Sequence, residues 1–504
     1  MEIFSSSSWL IVTSFIFCIF LYTLRYTKTS IMAKPYNLPP SPPKLPIIGN
    51  LYQILTKPRH ETLWELSKKY GPVMLFHIGS KPFIIISSPA MAKQILKTQD
   101  HIFCSRPTSK AVKRLTYNYM DIGFAPQNDH RKNMRKILVS EFLGPKRARL
   151  FNHVLVTETA KLIHSLSVHP PNIAVNLNEL FFETVKQVTC KMAFGNNYRQ
   201  QPVDGPSWKG MINDTQEMFA GSLGDLFPWL GSFIDRFSGF DTKLEKCFAN
   251  IDTYMEMILD DHYNQNVEEL SDDDKDFVHA MIELSSKEDA SGYRLTKDDI
   301  KALIMNILTG GVDTTVTTMI WAMSEIARNT RVMQKLQKEI RNQTERAQEF
   351  QDIDITKMTY LKMVMKETFR MHSPAPLLLP HESISHCQVG GYDILPNTSV
   401  LINVWGMGKD PNIWGNNVNE FYPERFENFD VEFEMAPFGS GRRSCPAINM
   451  ARTTMEFIIA NILYSFDWKL PNDDLDVDME EEGDLVLHKK LPLYIVPIKY
   501  LHEE

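Results

Sequence analysis

Between Pro437 and Ala447 the chain reads PFGSGRRSCPA, and this run carries the strongest chemical signal in the sequence. Gly439 and Gly441 permit tight turns and a close approach of backbone to a bound group, while Arg442 and Arg443 add positive charge. Cys445 precedes Pro446, which suits the first position of a helix running on through INMARTTMEFIIANIL. A cysteine at the positive end of a helix dipole is expected to have a lowered pKa and to be stabilised as a thiolate. Taken alone, a buried structural cysteine is the plainer alternative.

Two further sets of residues break local rules. Gly310-Gly311-Val312-Asp313-Thr314-Thr315 sets two glycines and a β-branched run through Thr318 inside a long helical pattern, against helix propensity. The glycines leave space on one face, and the Thr314 hydroxyl can bond the Gly310 carbonyl one turn back and loosen the local ladder. An ordinary kink at a packing contact competes with that reading. Glu367 and Arg370, in KETFR, are three apart on a helical segment from Tyr360 to His372 and so share a face. By themselves they would be a surface ion pair of little stabilising value.

The elements that must position these residues are mostly helical. Thr296 and Asp299 form a capping box, and Ile300, Leu303, Ile304, Ile307 and Leu308 recur at helical spacing in a helix expected to reach about Arg328. Strands are expected near 73–79 and 82–88 and in LPLYIVPI near the C-terminus, giving a mainly α fold with a small β part. Ile3 to Leu24 is 22 residues without a formal charge, enough for one membrane-spanning helix, with a cleaved signal peptide as the competing reading. Arg25, Lys28, Lys34 and Lys44 follow it and only Glu2 precedes it, which places the remainder in the cytosol. The expected organisation is an anchor over 1–24, a basic, proline-rich hinge over 25–50 acting as a stiff spacer, and one domain over 51–504. Among 504 residues, 43% are hydrophobic and the net charge is −7, which excludes a disordered chain and argues against nucleic acid as a partner. Six cysteines without a CxxC pair indicate neither a disulfide framework nor a zinc ribbon. The acidic runs 272–274 and 480–482 read as solvated loop faces.

At Phe438, Gly441, Arg443 and Cys445 the sequence resembles the cytochrome P450 family, whose signature is F-x-x-G-x-R-x-C-x-G; Ala447 replaces the last glycine. The resemblance implies the cytochrome P450 fold, haem b as cofactor, Cys445 as the axial ligand of its iron, and Arg443 paired with a propionate. The family's A/G-G-x-D/E-T motif falls on Gly310 to Thr314, so Asp313 and Thr314 are implied to relay protons during oxygen activation. Its E-x-x-R and P-E-R-F motifs match Glu367, Arg370 and the Arg425 of PERF, implying a buried network, and Asp410, Pro411 and Trp414 fill the spacing between them. LPPSPPKLPIIGN, FYPERF and FGSGRRSCPA look like the plant microsomal branch. Two departures stand out: Arg131 and Lys132 occupy places where Trp and Arg are usual, and His381 replaces an arginine expected to clamp a propionate. If His381 faces a propionate, its pKa should be raised. The resemblance further implies a pocket lined by Tyr117, Met120, Ile304, Leu308, Gly311, Ala375, Leu377, Leu378 and Val486.

The function implied is a single-pass monooxygenase of the endoplasmic reticulum membrane. It would take electrons from NADPH through a cytochrome P450 reductase and oxidise a lipophilic terpenoid, alkaloid or phenolic. Two other classes compete: a catalytically silent haem-binding scaffold, and a thiolate-haem isomerase or dehydratase that needs no reductase. The acid and threonine at Asp313 and Thr314 weigh against both, since neither class needs a proton relay.

Overall fold

The computed structural model describes residues 36–195, 207–227, 229–265, 275–288, 293–343, 354–427, 435–471 and 477–500. The helices that matter for the site are, in chain order, Asp129–Glu141 (α1), Pro145–Ser167 (α2), Leu177–Phe194 (α3), Trp208–Phe219 (α4), Phe240–Tyr263 (α5), Phe277–Ser285 (α6), Lys297–Arg328 (α7), Thr359–Met371 (α8) and Ile448–Ser465 (α9). The strands that bear on the site are Val73–Ile78 (β1), Lys81–Ile86 (β2), Val175–Asn176 (β3), His381–Glu382 (β4), Ser399–Ile402 (β5), Phe466–Lys469 (β6), Glu481–Glu482 (β7), His488–Lys489 (β8) and Tyr494–Lys499 (β9); a small separate hairpin pairs Cys387–Val389 with Tyr392–Ile394.

Helix α7 begins where the capping box requires. Asp299 N–H donates to Thr296 Oγ1 at 3.2 Å and Thr296 N–H returns to Asp299 Oδ2 at 2.8 Å. Its 32 residues span about 48 Å at 1.5 Å each, and the pair Gly310-Gly311 does not interrupt them. Packing overrides propensity here. Ile300, Leu303, Ile304, Met319, Trp321 and Ile326 are all buried, and α3, α8 and α9 pack against the helix. The hydroxyls of Thr309, Thr314, Thr315 and Thr318 each donate to the carbonyl four residues back, at 2.7–2.8 Å. Among the described residues α7 is the helix long and apolar enough to cross a membrane, but 72% of that window is buried inside the protein, as in a core helix. The expected anchor, 1–24, lies outside the described residues.

Strands β1 and β2 form an antiparallel hairpin in register Val73 with Ile86; β2 then pairs in parallel with β5, and β5 antiparallel with β4. This sheet carries His381 on its edge. Strand β9 lies between β6 and β3; β3 covers only Tyr494 and Ile495, so Pro497, opposite Trp468, faces no ladder on its other side. The β7–β8 hairpin is pinned over α7 by Trp321 Nε1, which donates to Leu487 O at 2.9 Å.

Two expectations change. The described part of the proline-rich segment is docked and does not stand off as a spacer: Leu75 N–H donates to Pro40 O at 2.9 Å, and Asn50 Nδ2 to Pro43 O at 2.9 Å. Asn37 N–H reaches Asp393 Oδ2 at 2.8 Å. Within the second acidic run, Glu481 is no solvated loop residue. It sits in β7 and accepts from Trp405 Nε1 at 3.1 Å; burial alone would raise its carboxyl, but His372 and His60 beside it hold it well below the usual range. The 272–274 run lies outside the described residues.

Candidate active site

The loop bearing Cys445 is held from three sides. Gly441 adopts φ +67°, and a Cβ there would stand 2.0 Å from Leu96 O, so no side chain fits. Asp100 Oδ2 accepts the Arg442 N–H at 3.1 Å, and the Phe438 ring packs edge-on against Phe369 of α8 with centroids 5.1 Å apart. Cys445 N–H closes the loop on Phe438 O at 2.9 Å. The expected helix start at Pro446 falls two residues late: α9 begins at Ile448. The lowered thiol pKa is corrected too. Burial pushes the Cys445 thiol above its ordinary value, and the Ala447 N–H and the Arg135 guanidinium offset this only in part.

Across from Cys445, α7 presents Gly310, Gly311 and Thr314 to a cavity of about 340 Å³. A Cβ on Gly310 would meet nothing within 4 Å, so the glycine pair opens this wall. Ala375 and Leu378 close one end, and Phe438, Arg443, Arg131 and His381 also line the cavity as expected.

Other expected positions fall elsewhere. Lys132 is exposed and bonds Asp129 at 2.8 Å, because it sits one residue around α1 from Arg131, on the outer face. Asp313 lies off the cavity: His488 Nε2 approaches its two oxygens at 2.8 and 3.0 Å, and Gln216 Nε2 donates to Oδ2 at 2.6 Å. Tyr117, Met120, Ile304, Leu308, Leu377 and Val486 are not in its walls. Tyr117 turns away to donate to Asp252 at 2.9 Å, Ile304 is in the core, and Leu308 borders a separate small apolar space beside Trp208.

The network of Glu367, Arg370 and Arg425 is present and buried. Arg370 clamps Glu367 with Nε to Oε2 at 2.7 Å and Nη2 to Oε1 at 2.9 Å, and Arg425 Nε adds bonds at 3.0 and 3.1 Å. The spare guanidinium hydrogens go to the carbonyls of Gly408, Val418 and Trp414. Gly408 must be glycine, since a Cβ there would lie 2.1 Å from Arg370 O.

Sequence reasoning missed Arg106, Arg135 and His488. Arg135 had a signal, one helical turn after Arg131 on α1. Arg106 had none; it comes from a non-helical segment and donates to Leu379 O at 2.7 Å and Pro380 O at 2.8 Å. Arg443 likewise bonds backbone, reaching Cys104 O and Ala125 O at 2.5 Å. Burial, with repulsion from Arg131, brings Arg106 down to about 9, and burial, with repulsion from Arg106 and Arg131, brings Arg443 to about 8, while Asp121, the buried carboxylate nearby, opposes both shifts. His381 Nδ1 donates to Phe103 O at 2.7 Å, and burial with Arg106 and Arg443 close by drives its pKa well below 6.5, in place of the expected rise.

A dianionic haem fits these residues. The cavity runs between the Cys445 loop and the glycine face, its cationic side holds Arg106, Arg131, Arg135 and Arg443, and Arg131 Nη1 is buried without a hydrogen-bond partner. Carboxylates at that side would satisfy the orphaned donor and relieve the repulsion.

Comparison with known proteins agrees. The Cytochrome P450 family model matches residues 39–496. Parthenolide synthase of Tanacetum parthenium is 51% identical, over 96% of each chain, and eupatolide synthase of Helianthus annuus 44% identical, over 98% of each. The fold resembles a zebra fish cytochrome P450 solved with abiraterone, with TM-score 0.73 at 20% identity, covering 88% of this chain and 100% of that one. With a cysteine facing a glycine-threonine helix wall across a cavity that suits haem, and with this match along nearly its whole length, the chain belongs to the cytochrome P450 family of haem-thiolate monooxygenases.

Proposed function

We propose that this monooxygenase oxidises a lipophilic terpenoid, using O2 and electrons delivered from NADPH by a membrane reductase, while anchored in the endoplasmic reticulum by residues 1–24. The observation that carries the reading is the open, largely apolar cavity between Cys445 and the Gly310-Gly311-Thr314 face. Relatives named for making parthenolide and eupatolide favour a terpenoid over an alkaloid or a phenolic.

Cys445 would hold the iron, and Arg131, Arg135 and Arg443, with Arg106, the propionates. Bound haem would supply the redox chemistry of oxygen activation through its thiolate-ligated iron. The chain's own work is positioning and proton supply. In the resting geometry the Thr314 hydroxyl donates to Gly310 O at 2.7 Å and faces the cavity, where turning about χ1 would release its proton inward. Asp313, on the preceding helix position and off the cavity, touches His488, whose side chain is 39% exposed, so this pair would take up protons from solvent behind the Thr314 wall. Phe124 and Val188 keep the walls apolar and limit water.

Microsomes containing the chain and a plant reductase, given terpenoid hydrocarbons and lactones under 18O2, should yield NADPH-dependent products carrying one heavy oxygen. Turnover of phenolics or alkaloids alone would overturn the substrate class, and turnover without a reductase would overturn the electron route.

A further inference from the structure

Outside the Cys445 cavity, the end of α5 and the start of α6 bring together His262, Asp276 and His279, each with only 3% of its side chain exposed. Asp276 caps α6: its Oδ1 accepts the His279 N–H at 3.0 Å, which leaves Oδ2 to the two rings. His262 Nε2 lies 3.0 Å and His279 Nδ1 2.9 Å from that oxygen, and the three atoms fall within 4.8 Å of one another.

The far nitrogens are already committed. His262 Nδ1 is 2.6 Å from Ile258 O, an acceptor only, so it carries the ring proton; His279 Nε2 donates to Gln265 Oε1 at 3.1 Å. In neutral rings both near nitrogens therefore present lone pairs towards a carboxylate oxygen that also only accepts. His279 Nδ1 is buried without a hydrogen-bond partner. Protonating His262 alone would satisfy its contact with Asp276 but still leaves His279 Nδ1 facing the carboxylate without a partner, and protonating both rings would bury two cations against one carboxylate, next to Arg147 of α2, whose guanidinium bonds the carbonyls of Lys275 and Asp276. A cation at the meeting point of the lone pairs removes the conflict with both rings neutral.

Outer hydrogen bonds to a carbonyl and an amide oxygen are the kind that fix the tautomer of metal-bound histidines. Gly195, at φ +76°, keeps the adjoining side clear, because a Cβ there would stand 2.9 Å from Asp276 Oδ2. Two buried imidazoles and one buried carboxylate are a ligand set that zinc takes with water as the fourth ligand. Bonds of about 2.0–2.1 Å put such ligands roughly 3.3 Å apart, so the two nitrogen–oxygen separations need open by only a few tenths of an ångström.

We propose that His262, Asp276 and His279 form a binding site for a divalent transition-metal ion, Zn²⁺ foremost, that ties the end of α5 to the start of α6.

The test uses full-length holoenzyme without a polyhistidine tag, stripped with a chelator and titrated with zinc chloride. Zinc per haem is counted by elemental mass spectrometry after gel filtration. One zinc per chain is expected, together with a higher thermal midpoint. His262→Gln and His279→Gln should lose that zinc while keeping haem and the thiolate carbon-monoxide band, and Gln265→Leu should weaken zinc binding by about 10- to 100-fold. Zinc retained undiminished by both histidine variants overturns the proposal. So does a zinc-free wild type, the result expected if Gln265 presents its amide nitrogen and His279 donates Nδ1–H to Asp276. Should the variants fail to fold, X-ray absorption of zinc-loaded wild type decides: imidazole and oxygen ligands support the site, and sulfur ligation overturns it.

Discussion

Replacing Glu367 by Gln tests whether the buried network organises the haem-binding core. The shape survives but the charge does not. Glu367 takes bonds from Arg370 Nε and Nη2, Arg425 Nε and the Tyr422 N–H, and its side chain and that of Arg370 are both 0% exposed. The variant leaves two guanidiniums facing an amide whose own NH2 group can only repel one of them. Removing one partner of a buried pair costs about 3–5 kcal/mol, because the remaining charge cannot regain water. Against a total stability of about 5–15 kcal/mol this is a large fraction, and it corresponds to a shift of roughly 100- to 5,000-fold in the folding equilibrium. Arg425→Gln should cost less, since its side chain is 8% exposed and Arg370 still neutralises Glu367. The assay is urea unfolding followed by tryptophan fluorescence, with the fraction of thiolate-type carbon-monoxide complex measured in parallel. A loss below about 1 kcal/mol for Glu367→Gln would refute the reasoning, because that is the range of an exposed pair.

Thr314→Ala should leave haem content unchanged, lower product per NADPH and raise peroxide; unchanged coupling would show that this hydroxyl carries no proton. His488→Leu should slow product formation by about 100-fold or more, the usual scale for a proton-transfer group, with haem content unaffected, and wild-type rates would remove His488 from the proton route. His381 has a folded pKa well below 6.5, so its stability contribution is full above that value and is lost as pH falls below it. Unfolding of haem-depleted protein between pH 5 and 8 should therefore show a destabilisation at the acid end that His381→Gln reduces; a dependence centred above pH 7 would contradict the assigned sign.

Much of the fold was legible because the pattern and the packing agree. The capping box at Thr296, the apolar spacing after it and the β-branched and aromatic residues at 73–78 and 81–86 each specify one local structure. The site was legible where motif residues stay on one element, as Gly311 and Thr314 do. It was not where a side chain's direction depends on its neighbours. Asp313 and Thr314 are adjacent, so they point about 100° apart around the helix axis, and only the threonine can face the cavity. What the aspartate meets depends on a hairpin more than 150 residues away, and nothing local in the sequence shows that His488 will land there.

The same limit explains the propionate side. Reading His381 as a substitute for arginine treats that position as carrying the charge by itself, and predicts a raised pKa. The structure makes the charge collective. Arg106 arrives from a coil, Arg131 and Arg135 from one face of α1, and Arg443 from the Cys445 loop, and two of these, Arg106 and Arg443, already press on the imidazole. A further positive charge there would be opposed by like neighbours in a buried setting, where repulsion is weakly screened. A neutral histidine that spends its Nδ1 proton on Phe103 O is therefore the compatible residue, and the loss of an arginine at 381 is offset by the one at 106.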